Sequence, residues 1–104
     1  MNGVRLFLIW VLWVGLVLSS AAVVAGDVFG GQKVYMTHCV NCHGVAGESD
    51  MPGLTNFARG ERLMKSDVEL RSAVLSGINV MPGFNNVLSD EEIDNVISYI
   101  RSFL

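Results

Sequence analysis

Cys39-Val40-Asn41-Cys42-His43 is the stretch that decides how this chain folds. Two thiols three positions apart on one helical turn can reach the two vinyl groups along one porphyrin edge. The next residue then turns its imidazole toward the iron. C-x-x-C-H is accordingly the attachment signature of haem c. Three other readings use the same residues. An exported cysteine pair can close a disulfide. Cys-x-x-Cys can be a thiol oxidoreductase site, but that needs a βαβ setting, and no strand pattern occurs here. His38, Cys39, Cys42 and His43 could bind zinc, but all four lie within six residues, without the spacer of a zinc finger. Haem attachment is the expectation, with Cys39 and Cys42 as the covalent positions and His43 on the iron. His38 is expected on a helix surface.

Outward from the motif, Gly30 to Cys39 reads as a first helix with Val34 and Tyr35 on its apolar side. Gly44 to Lys65 holds four Gly and one Pro and few periodic apolar positions. It reads as a long loop with at most one helical turn. So long a loop in so small a domain makes sense when it wraps something. Ser66-Asp67-Val68-Glu69 has the form of a capping box, followed by Val68, Leu70, Val74 and Leu75, with Gly77 as the stop. Ser89-Asp90-Glu91-Glu92 repeats the box, and Ile93, Val96, Ile97, Ile100 and Phe103 follow at helical spacing. The triplet Met-Pro-Gly occurs twice, at 51 to 53 and at 81 to 83.

The N-terminal part has a different character. Leu6 to Gly26 is 21 residues without a charge, and every acidic residue comes later. A short basic start at Arg5, an apolar run to Leu18 and the small residues up to Ala25 form an export signal. The cut is expected after Ala25, with Ala22 as second choice, so that residues 1–25 are signal and 26–104 the domain. The alternative is an uncleaved anchor, since about 20 apolar residues span a bilayer. The lone Arg on the N-terminal side puts the remainder outside the cytoplasm in either case. From Gly26 onward 79 residues remain, too few to build an ample core without a disulfide, metal or cofactor. They carry ten acidic and six basic residues, a net −4 that disfavours nucleic acid and leaves no basic membrane patch.

From Gly30 to Phe103 the sequence resembles the class I c-type cytochromes, especially the short bacterial periplasmic ones. Gly31 and Tyr35, eight and four residues before Cys39, match the family's first helix. Tyr99, with Val96 one turn earlier, matches the aromatic that packs on that Gly from the last helix, where a close crossing leaves no room for a Cβ. Gly44 and Pro52-Gly53-Leu54 match the segment after the haem His. The resemblance implies that Pro52 offers its carbonyl to the imidazole of His43, a bond that sets the tautomer and raises ligand basicity. It also implies that Met81, in Gly77-Ile78-Asn79-Val80-Met81-Pro82, is the second axial ligand. Met51 is the rival, but it lies only eight residues after His43, against 38 for Met81. No Trp follows the signal, although several family members place one near a haem propionate, and Arg59 or Arg62 is the expected substitute. Only Lys33 and Lys65 are present as lysines, so a Lys-ringed docking face is not expected.

The fold expected from this resemblance is all-α, about three to five helices wrapped around one covalent haem, with the first and last helices crossing. The expected function is single-electron transfer between redox protein partners in the periplasm, by a monomer with no catalytic residues of its own. Alternatives are a haem subunit docked permanently to a dehydrogenase, oxidase or nitrite reductase, and an open-site haem enzyme or gas sensor. Membrane contact is expected only if the N-terminal segment is retained.

Overall fold

The computed structural model describes residues 2–17 and 26–104. Among the described residues there are five helices, α1 (Asn2–Val17), α2 (Val28–His38), α3 (Val40–His43), α4 (Asp67–Ser76) and α5 (Asp90–Arg101), and a single 3-10 turn at Phe57–Arg59. Among the described residues there is no strand, only an isolated antiparallel bridge between Ile78 and Met81. On α1 the side chains of Val4 and Leu6 to Trp10 are exposed. Among the described residues no helix is long and apolar enough to cross a membrane. The expected cleavage positions, Ala25 and Ala22, lie outside the described residues.

α2 starts two residues earlier than its apolar pattern suggests. Asp27 is the reason: its carboxylate accepts from the backbone N–H groups of Phe29 and Gly30, both at 3.0 Å. A capped start is worth about 0.5–2 kcal/mol over an uncapped one. The Asp27 N–H also donates to Asn95 Oδ1 at 2.7 Å, which ties the domain's first turn to α5. α2 ends at His38, and Cys39 serves both as its C-cap and as the N-cap of the single turn α3.

Both expected capping boxes form. Ser66 and Glu69 cap α4, and Ser89 and Glu92 cap α5. α4 stops at Gly77, whose φ of 73° is left-handed backbone that a side chain would strain. α5 buries Ile93, Val96, Ile97 and Ile100, each worth about 1.5–3 kcal/mol relative to exposure. Phe103, placed on that helix by its spacing, lies just past its end and is half-buried. Val68 points outward, whereas Leu70 is buried.

α2 and α5 make the main crossing. A Cβ added at Gly31 would overlap the Asn95 carbonyl oxygen and sit 2.9 Å from Tyr99 Cβ. The expected Gly31–Tyr99 contact is therefore present, with the α5 backbone closer still. Tyr35, fully buried, packs its ring 5.2 Å from Tyr99 and 5.4 Å from Phe103.

α4 is held to α5 from the outside. Arg71 pairs with Asp90 at 3.1 Å and also reaches Asp94. Arg101 donates to the carbonyls of Leu63 at 2.6 Å and Lys65 at 2.8 Å, and pairs with Asp67. Exposed pairs of this sort are each worth about 0–1 kcal/mol. The bonds to Leu63 and Lys65 matter more, because they pin the end of the long loop and leave Leu63 almost fully buried.

Candidate haem site

α3 presents the signature. Cys39 and Cys42 are unbridged thiols, Cys39 half-buried and Cys42 exposed. Burial first, then the neighbouring Cys42, pushes the Cys39 thiol up to about 11, so it stays protonated at neutral pH. His43 is buried. Its Nδ1 lies 3.2 Å from the carbonyl oxygen of Thr55. A carbonyl can only accept, so Nδ1 carries the proton and Nε2 keeps the free lone pair. The His43 ring also stacks on Phe57, with centroids 4.7 Å apart and planes at 27°.

The sequence reading placed Pro52 at this bond, and the structure corrects it. The acceptor is Thr55, three residues on. Pro52 sits inside a turn from Met51 to Leu54, closed by Leu54 N–H donating to the Met51 carbonyl, and it borders the neighbouring polar depression instead. Thr55, just after that turn, presents its carbonyl to His43.

Cys39, Cys42 and His43 form one wall of a largely apolar cleft of about 330 Å³. Leu54, Thr55 and Arg62 of the loop form a second wall, and Ile78 to Pro82 with Phe84 close the third. Met81 stands in this third wall. A two-residue turn holds it: Met81 N–H donates to the Ile78 carbonyl at 2.9 Å, and Ile78 N–H donates back at 3.1 Å. Met51 also reaches the cleft, at its rim, and is 52% exposed. The loop arginine in the cleft wall is Arg62, not Arg59. Arg59 faces a neighbouring polar depression shared with Pro52, Asn56 and Glu61. Arg59 ends the 3-10 turn, while Arg62, with a positive φ of 62°, borders both this depression and the cleft. His38, expected on the surface, is exposed but lies at the cleft edge, its ring 5.7 Å from Phe84.

Two thiols, an imidazole with a free Nε2, the Met81 thioether and, at the rim, that of Met51 thus share one apolar cleft. That donor set suits a porphyrin iron: thiols for the vinyl groups, a nitrogen and a soft sulfur for the metal. Among the described residues no group of His, Cys, Asp or Glu could hold a bare metal ion, so the zinc reading gains no support. Thr55 and Phe57 were not singled out in the sequence. A carbonyl role leaves no mark on residue type, but Phe57 is the only aromatic between His43 and Ser66, and that was a usable signal.

Residues 27–100 match the protein family described as cytochrome c oxidase, cbb3-type, subunit III. The chain is 33% identical over 78 residues to cytochrome c6 of Gracilaria tenuistipitata var. liui, covering 73% of this chain and 72% of that protein. It is 31% identical over 81 residues to cytochrome c6 of Diacronema lutheri, covering 74% and 96%. Among solved structures, the KustC0563 c-type cytochrome superposes with a TM-score of 0.63 at 31% identity, over 70% of this chain and 95% of that one. Cytochrome c6 from the diatom Phaeodactylum tricornutum superposes with a TM-score of 0.59 at 34% identity, over 74% and 93%. The chain belongs to this cytochrome c family: it is a class I, single-haem c-type cytochrome, an electron-transfer protein whose cofactor is one covalently held haem c.

Proposed function

We propose that this protein is a diffusible periplasmic carrier of single electrons with His43 and Met81 as its two axial ligands. The observation that carries this reading is the placement of Cys39, Cys42, His43 and Met81 around one cleft. Haem c, when bound, supplies a reversible one-electron couple at its iron. The chain's own residues do the rest. Cys39 and Cys42 fix the porphyrin edge covalently. Thr55 holds the proton on His43 Nδ1 and leaves Nε2 for the metal. Met81 supplies a soft thioether that favours the ferrous state and raises the potential. With His43 and Met81 both offered to the metal, the site would leave no open position for a substrate. Leu54, Ile78, Val80 and Phe84 line the cleft with hydrocarbon, which excludes water and keeps reorganisation small.

Met81 is favoured over Met51 because a paired backbone turn pins it, while Met51 stands half in solvent. Arg62 takes over from Arg59 as the residue assigned to the haem propionates. Residues 1–25 act as the export signal and 26–104 as the mature domain.

A redox titration of the haem-loaded protein, repeated under carbon monoxide, tests this reading. A single one-electron transition with no carbon monoxide adduct is expected. A carbon monoxide complex in the native protein would contradict the carrier and favour the open-site alternative. The matched family's description, an oxidase subunit, favours a second reading in which the domain stays docked to a larger redox complex. Its mark would be co-purification of the protein with an oxidase after gentle extraction.

A further inference from the structure

The stack on His43 has more behind it than one contact. Phe57 is buried, at 9% exposure. Its backbone is fixed by the bonds from Phe57 and Ala58 N–H to the Gly47 carbonyl, at 2.9 and 3.3 Å. Asn56 caps the 3-10 turn that carries it. Phe57 also neighbours Phe103, whose ring is 6.4 Å away and parallel to within 9°. Phe103 is in turn braced by Tyr35 at 5.4 Å and Tyr99 at 5.2 Å. The imidazole therefore rests on one member of a ring cluster anchored in the α2–α5 crossing.

A hydrogen bond alone does not fix the plane of a His ring. Carbonyl acceptors tolerate a broad range of donor directions, so the ring can rock about the Nδ1···O line. A ring face against the imidazole removes that freedom, and the offset-stacked geometry here is a favourable one. Segment 55–57 thus grips His43 twice, at its edge through Thr55 and on its face through Phe57.

We propose that Phe57, backed by Phe103, is a positioning residue for the iron ligand: it sets the rotation of the His43 imidazole plane. This rests on His43 being an axial ligand. In a low-spin ferric haem the plane of an axial imidazole decides how the unpaired spin is shared among the pyrrole rings. Losing Phe57 should therefore change the electronic signature of the iron without changing its ligands.

The test uses the haem-loaded protein with Phe57→Leu, Phe57→Tyr and Phe103→Leu. The readouts are the electron paramagnetic resonance g values and the proton NMR shifts of the haem methyls in the oxidised state. Phe57→Leu keeps a buried apolar side chain but removes the ring face. It should shift the g values and change the order or number of the methyl resonances. Phe57→Tyr keeps the face and should restore the native pattern. Phe103→Leu should move the same signals in the same direction by less. Lower stability with native g values and methyl shifts in Phe57→Leu would overturn the proposal. If Phe57→Leu does not retain haem, Phe103→Leu decides on the same criterion. Failure of the ligand assignment is distinguishable, because the unmodified protein would then lack a low-spin His/Met spectrum at the outset.

Discussion

The carbonyl oxygen of Thr55 faces Nδ1 of His43 at 3.2 Å, so the loop that wraps the site also fixes the tautomer of the His43 imidazole. Pro52, in the turn just before, has no part in that bond. Pro52→Ala should leave the reduction potential and the visible spectrum of the haem protein unchanged, as read by redox titration. A clear fall in potential would restore the proline to the imidazole.

Haem should be a condition of folding. The loop from Gly44 to Lys65 contributes Phe57 and Leu63 to the core, but its Leu54, Thr55 and Arg62, like the Met81 turn, line the cleft. A Cys39→Ala/Cys42→Ala chain should lose most of its helical circular dichroism. Retention of the full helical signal would show that the α2–α5 crossing suffices alone.

Gly31 allows the backbones of α2 and α5 to touch. Gly31→Leu should lower the haem protein's denaturation midpoint, with a cost of about 1–3 kcal/mol from overpacking. The Asn95 carbonyl cannot move aside as a flexible side chain would. An unchanged midpoint would remove the close crossing from the account.

Tyr35 should give the fold an alkaline limit. Its hydroxyl donates to the Gly44 carbonyl at 2.6 Å, one residue past His43. Burial, aided by Cys39 and Tyr99, raises it from an ordinary 10.0 to about 12. The folded state therefore prefers the neutral phenol. That stabilisation is complete below the unfolded value and is lost as pH climbs from 10.0 through about 12. Tyr35→Phe should lose about 0.5–1.5 kcal/mol at neutral pH and show a flatter alkaline limb in denaturant melts. A limb as steep as the native one would place the titrating group elsewhere.

Much of this was legible in the chain. The haem signature needs only five consecutive residues, and both capping boxes and the α5 stripe are local patterns, so each appeared where its residues stood. The Gly31–Tyr99 contact came from the family resemblance and took its place because a missing Cβ is visible in sequence. What failed was of another kind. Thr55 acts through a backbone carbonyl that every residue owns. Arg62 and Arg59 are chemically alike, and only their places in the folded loop tell which one borders the cleft. α2 starts ahead of its apolar periodicity because the Asp27 cap lies outside that pattern. Val68 fits an apolar pattern, yet it faces solvent.

The domain begins at once after the expected signal, since Asp27 is already bonded to Asn95 of α5. Amino-terminal sequencing of the exported protein should start at Gly26. A protein found only in membranes, with Trp10 and Trp13 still present, would establish the anchor instead.

The central claim is the axial pair, and the sulfur-to-iron charge-transfer band of the oxidised protein tests it most directly. Met81→Ala should abolish the band, lower the potential and open the iron to carbon monoxide, while Met51→Ala should leave all three nearly unchanged. Loss of the band in Met51→Ala and its survival in Met81→Ala would contradict the assignment and the path of the loop built upon it.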